Sequence, residues 1–156
     1  MPRSILISLV ACAVLVVAIP WGQAKSEMQK IYVGSEKCQG CHEKEYDRFK
    51  KSSRKTQSYT HIALMKNGLA EEEYRRCLEC HTTGFGKPGG FSSEKETPLL
   101  KEVGCEACHG PGSAHVESSD PKDIKNNVSE KDCTVCHNPE RVEAFRFKPL
   151  IYGGAH

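Results

Sequence analysis

A pentapeptide of the form Cys-x-x-Cys-His occurs four times in this 156-residue chain. The four copies take eight of the nine cysteines, so a chance match is implausible. Two thiols at this spacing bond to the vinyl groups of a porphyrin, and the histidine that follows ligates the iron. The copies are Cys38–His42, Cys77–His81, Cys105–His109 and Cys133–His137. They predict four covalently attached haem c (heme c) groups.

The predicted cofactor-binding residues are therefore eight cysteines, and the predicted proximal iron ligands are four histidines. The cysteines are Cys38, Cys41, Cys77, Cys80, Cys105, Cys108, Cys133 and Cys136. The proximal histidines are His42, His81, His109 and His137. Zinc ribbons built from the cysteine pairs are the alternative interpretation, but they leave the histidine directly after each pair unexplained.

The remaining histidines are candidates for the opposite faces of the irons. The chain has seven histidines, and three lie outside the motifs: His61, His115 and His156. Three haems then have two histidine ligands each, while the fourth uses another ligand, water, a neighbouring subunit's residue, or nothing. Met28 and Met65 are further sulfur donors. An open iron position binds small molecules, so the count allows an enzyme as well as an electron carrier, and no catalytic residue is identified.

The first 24 residues have the composition of a secretory signal peptide. Arg3 provides a positive start, an apolar stretch covers Ile5–Ile19, and small residues before Lys25 suit cleavage after Ala24. This predicts a signal peptide over 1–24 and a tetrahaem cytochrome domain over 25–156. The apolar stretch of about 15 residues is short for a spanning helix, and an uncleaved membrane tether is the alternative. Because c-type haem is attached outside the bacterial cytoplasm, we expect a periplasmic protein, with a membrane-anchored or an extracellular one as alternatives.

The composition predicts a mainly α fold with long loops, organised around four stacked c-type haems. Only 38% of the residues are hydrophobic, so the macrocycles are expected to supply much of the buried surface. Helix formers predict a helix over 43–51 and another that enters the second motif from 71. Glycines and Pro88 predict a loop over 82–91, and Ser35 is placed to cap a helix before the first motif.

The charge balance does not indicate a nucleic-acid partner. The net charge is +2, and removal of 1–24, whose only charged side chain is Arg3, leaves +1. The negatively charged propionates of bound haems offset this small net positive charge. In addition, no run of basic residues carries interleaved aromatic residues. Residues 84–89 match G-x-G-x-x-G, but no strand is predicted before them, so a dinucleotide site is not expected.

Two segments of the sequence, Val103–Gly112 around the third motif and Cys77–Gly90 around the second, are similar to a known family. They resemble the tetrahaem cytochrome c-554 family, electron acceptors of ammonia-oxidising bacteria. The resemblance covers most of residues 35–156 and is most specific between Cys77 and Gly112. It implies a mainly helical fold with haems in closely stacked pairs.

The resemblance also implies a set of iron ligands. The second haem, attached at Cys77–His81, would lack a distal protein ligand. The implied pairs at the other three irons are His115 with His42, His61 with His109, and His156 with His137.

The leading hypothesis is an exported carrier of electrons between periplasmic or membrane redox partner proteins. The first alternative is an enzyme that acts on nitric oxide or another small nitrogen oxide at an open second haem. The second alternative is self-association into a haem wire, in which a neighbour's histidine completes the ligand set; the terminal His156 motivates it.

Overall fold

The computed structural model describes residues 29–141, and both the predicted signal peptide and His156 lie outside them. Over 29–141 the chain is helical and has no strand, which confirms the mainly α prediction. The α-helices are α1 (Glu36–Gln39), α2 (Glu43–Ser52), α3 (Ser58–Ala63), α4 (Glu71–His81), α5 (Cys105–His109), α6 (Ser113–Ser118) and α7 (Glu130–Thr134). Short 3-10 helices occupy Arg54–Gln57, Lys66–Gly68, Pro98–Leu100 and Pro121–Asp123. None of these helices is long and apolar enough to cross a bilayer.

The two longest helices, α2 and α4, lie where the composition predicts them. Acidic side chains begin both helices and basic ones end α2, which is the favourable arrangement for the helix dipole. At the start of α4, the backbone N–H of Ala70 donates to the Glu73 carboxylate at 2.9 Å. α4 then continues into the second motif and ends at His81, so its rigid backbone carries that motif.

The apolar core is small and lies between α3, α4 and the loop that follows α4. Its buried members are Ile62, Tyr74, Leu78, Phe91 and Leu100. Tyr74 and Leu78 are four residues apart, so they share one face of α4. Together with Phe49, these are the buried apolar side chains found between residues 29 and 141. A core of this size agrees with the expectation that bound macrocycles add buried surface.

The loop over 82–104 is held by backbone hydrogen bonds. The Thr83 N–H donates to the Leu100 carbonyl at 2.9 Å, and the Phe91 N–H donates to the Thr83 carbonyl at 2.9 Å. Gly84 has a φ of +73° and lies so close to the Tyr32 ring that an added Cβ would be 2.7 Å from it. Residues 84–89, which match G-x-G-x-x-G, therefore follow a helix and form turns. Gly84 allows the backbone to pack closely against the Tyr32 ring.

Candidate haem-binding sites

Each Cys-x-x-Cys-His motif forms one helical turn. The His42 N–H donates to the Cys38 carbonyl at 2.9 Å, and the His137 N–H donates to the Cys133 carbonyl at 2.8 Å. The second and third motifs lie within α4 and α5. Residues four apart in a helical turn share a face, so the first cysteine and the histidine point to the same side. Haem attachment requires the thiol and the imidazole of a motif to lie on the same side of the backbone.

The motif cysteines form no disulfides, and thiols of different motifs lie close enough to shift each other's pKa. The hydrogen bond between Cys38 and Cys105 raises the pKa of the first thiol and lowers the pKa of the second to about 6. Burial and a hydrogen bond with Cys80 raise the pKa of Cys136 to about 12. The first motif thus lies beside the third, and the second beside the fourth.

A lysine lies close to the third and fourth motifs. Burial raises the pKa of the Cys108 and Cys133 thiols, and the charge of Lys55 opposes both shifts. Burial also lowers the pKa of His137, and Lys55 adds to that shift. The 3-10 helix Arg54–Gln57 therefore places a positive charge near both attachment sites.

Three of the predicted iron ligands are oriented by backbone carbonyls. The distances from Nδ1 to the carbonyl oxygen are 3.1 Å for His81 with Ser58, 2.7 Å for His109 with Lys125, and 2.9 Å for His115 with Asp120. A carbonyl only accepts, so the proton is on Nδ1 in each ring. This tautomer leaves the Nε2 lone pair available to a metal.

Two predicted ligands of one iron face each other. The ring centroids of His42 and His115 are 6.1 Å apart, with 32° between the ring planes. Metal–nitrogen bonds of about 2 Å, with ring centres about 1 Å beyond each nitrogen, put two imidazoles on opposite faces of one iron about 6 Å apart. The gap between these rings has the size that an iron ligated by both requires.

The described residues do not show the other two candidate pairs. The His61 imidazole is exposed in the last turn of α3 and makes no hydrogen bond or ring contact with the described residues. Met65 is about half exposed, at 51%. His156 and Met28 lie outside the described residues. The pairs of His61 with His109 and of His156 with His137 therefore stay predictions.

Sequence reasoning missed the buried carboxylate of Glu106, inside the third motif. It accepts hydrogen bonds from the backbone N–H groups of Val33 at 2.9 Å, Gly34 at 2.7 Å and Gly112 at 2.7 Å. These bonds tie the segment before α1 to the third motif and to the turn that leads into α6. The sequence offers a weak signal at best, since an acidic residue within such a motif is expected to face solvent.

The residues present fit a covalently attached haem. Eight cysteines outside any disulfide stand at the vinyl-bridging spacing, three imidazoles carry their proton on Nδ1, and one ring pair is separated by the width of a ligated iron. Between residues 29 and 141, which include all four motifs, no three His, Cys, Asp or Glu side chains are grouped to hold a lone metal ion.

Comparisons with known proteins agree with this chemistry. The family model described as "Cytochrome c554 and c-prime" matches residues 37–110. A curated cytochrome c-554 from Nitrosomonas europaea is 25% identical over 134 residues, covering 68% of this chain and 57% of the relative. The chain thus matches less than two thirds of that relative's length.

A solved structure shares the fold. The reduced state of cytochrome c554 from Nitrosomonas europaea superimposes with a TM-score of 0.58 at 22% identity, covering 81% of this chain and 85% of that one. Cytochromes of this family carry four covalently attached c-type haems, the number that the four motifs provide. Residues 37–110 are therefore similar to the cytochrome c-554 family, in agreement with the resemblance seen in the sequence.

Proposed function

We propose that residues 25–156 form an exported tetrahaem cytochrome that carries electrons between redox partner proteins of the periplasm or membrane. The family is one of multihaem c-type cytochromes in electron transfer, which supports the general role. The exported location and the kind of partner rest on the predicted signal peptide and on the need to attach haem outside the cytoplasm.

The facing rings of His42 and His115 are the observation that best supports this function. Two imidazoles on one iron give a six-coordinate haem, which exchanges electrons and has no position for a substrate. The 6.1 Å between their centroids matches that use. We assign His42 as the proximal ligand and His115 as the distal ligand of the first haem.

The protein's own contribution is to place and tune the cofactors. When bound, the haems supply the one-electron chemistry. The neighbouring thiols of Cys38 and Cys105, and of Cys80 and Cys136, put the attachment points side by side in two pairs. Carbonyl groups fix the His81, His109 and His115 rings, which raises the basicity of their Nε2 atoms.

The decisive experiment counts the haems on the matured chain. The protein is expressed with haem-maturation machinery and measured by intact mass and by the pyridine haemochrome assay. Four haems per chain are expected, and the double variant C77A/C80A is expected to carry three. A chain without the added mass of haem would overturn the proposal.

Spectra then separate an electron carrier from an enzyme. We expect a reversible potentiometric titration and a low-spin signal from the haems with two histidine ligands. If nitric oxide binds one haem and is turned over with an added electron donor, the enzyme alternative replaces the carrier. An N-terminus at Lys25 on the mature protein would support export with cleavage, and an intact Met1 would support the membrane tether.

The haem-wire alternative is tested by size. A carrier of this kind is expected to show one molecular mass and the same low-spin signal at all protein concentrations. A mass that grows with concentration, together with a loss of low-spin signal on dilution, would favour self-association.

A further inference from the structure

Ser58, the first residue of α3, makes several contacts with the second motif. Its carbonyl oxygen lies 3.1 Å from His81 Nδ1, and its Oγ donates to the His81 carbonyl at 2.9 Å. The same Oγ accepts from the Val103 N–H at 2.9 Å. Ser58 is only 8% exposed, so these bonds form away from water. The main chain of α3 therefore sets the orientation of the His81 ring.

Glu102 in turn holds the first turn of α3. Its carboxylate accepts from the Tyr59 N–H at 2.7 Å and from the Thr60 hydroxyl at 2.8 Å. The Ser58 hydroxyl lies 3.4 Å from the same group. The Glu102 carbonyl accepts from the Thr83 hydroxyl at 2.6 Å. Glu102 is thus held through its carbonyl by Thr83, while its carboxylate accepts from the first turn of α3 and acts as a cap on that helix.

This support differs from that of the other oriented rings. The carbonyls that accept from His109 and His115 belong to Lys125 and Asp120, which are both exposed. Water competes for an exposed carbonyl, whereas a buried one keeps its hydrogen bond to the imidazole. The ring at the second motif therefore has the most rigid partner of the three.

We infer that Glu102, acting through the Ser58 carbonyl, is a positioning residue that sets the reduction potential of the second haem. The inference rests on the proposed function, in which His81 ligates that iron. A firm hydrogen bond from Nδ1–H makes Nε2 a stronger donor, and a stronger donor favours the oxidised iron. Loss of this support should therefore raise the potential of the second haem and leave the other three unchanged.

The test is a spectroelectrochemical titration of the holoprotein. The second haem is identified as the component absent from C77A/C80A. E102Q keeps the shape of the side chain, and S58A removes the Oγ bonds without changing the charge. At a fixed applied potential, we expect both variants to lower the ratio of oxidised to reduced second haem about tenfold. This corresponds to a reduction potential that is higher by about 59 mV for a one-electron couple. E72Q is the matched charge control, because Glu72 is an exposed residue of the same helix as His81.

The outcomes are distinct. Wild-type potentials in both E102Q and S58A would overturn the inference, as would an E72Q shift as large as that of E102Q. If the potential of the second haem shifts in E102Q and stays unchanged in S58A, the loss of the Glu102 charge explains the shift. That result would also overturn the inference. If E102Q fails to retain the second haem, S58A decides. Absence of haem from the wild-type chain would instead refute the proposed function, so the two failures are distinguishable.

Discussion

The imidazole rings of His42 and His115 lie with their centroids 6.1 Å apart and 32° between their planes, although the two residues are 73 positions apart in the sequence. His42 directly precedes α2, and His115 is held in α6 by the carbonyl of Asp120. Both rings are therefore set by backbone geometry, and the space between them has the width of an iron with two imidazole ligands.

Substitution of His115 should leave the distal coordination position of the first haem iron without its histidine ligand. In H115A we expect one of the four haems to become high-spin and its potential to rise, because one imidazole no longer donates to the iron. Electron paramagnetic resonance and potentiometry measure both effects. V116A is the matched control, since Val116 is an exposed neighbour in α6 and should leave the spectra unchanged. A low-spin signal in H115A as large as that of the wild type would contradict the ligand assignment.

Glu106 should be a large contributor to stability. In E106A the N–H groups of Val33, Gly34 and Gly112 lose their acceptor, and buried donors left unpaired cost about 1–3 kcal/mol each. We expect the free energy of unfolding to fall by about 3 kcal/mol in E106A, and by less in E106Q, whose amide oxygen still accepts. Chemical denaturation of the holoprotein measures this. Q39A changes the same position of the first motif, where the side chain is exposed, and should be close to neutral.

Local features of the fold were predictable, whereas its long-range contacts were not. Helix formers and charges that suit the helix dipole predicted α2 and α4, and the motif spacing predicts the haem-attachment residues. Ser35 was expected to cap α1, but it makes no side-chain cap and its Oγ accepts from the Cys105 N–H at 3.1 Å. Burial of Glu106 likewise depends on N–H groups brought in from distant segments. Such partners have no local pattern, because they are set by tertiary packing.

Substitution of Gly84 and of Gly86 by alanine tests the packing of the loop after α4, because the two glycines have similar backbone angles. Their φ angles are +73° and +74°, so alanine is strained equally at both, by about 1 kcal/mol. At Gly84 the new Cβ would also be 2.7 Å from the Tyr32 ring, whereas at Gly86 nothing lies within 4 Å. We expect G84A to cost about 2 kcal/mol more than G86A, because overpacking adds to the strain. Equal thermal unfolding midpoints would show that Tyr32 does not pack there.

Asp132 lies between the third and fourth motifs, and its contribution to the stability of the protein should depend on pH. Its carboxylate accepts from the Lys125 ammonium and, at 2.8 Å, from the Ser129 N–H, and the first of these bonds contributes most to lowering its pKa to about 2. Lys125 is also the residue whose carbonyl orients His109. The side chain of Asp132 therefore ties α7 to the segment that holds a predicted iron ligand.

Because the folded pKa of Asp132 lies below its ordinary value of 3.8, protonation favours the unfolded chain. Its contribution to stability should be complete above about pH 4 and should be lost as the pH falls toward about 2. We expect D132N to be less stable than the wild type at pH 6 and to approach it at pH 2 to 3. Denaturant titrations of the holoprotein over this range measure the difference. E130Q, at an exposed position of the same helical turn, should follow the wild type throughout. A constant gap between D132N and the wild type at all pH values would show that the ion pair is not the source of the stability.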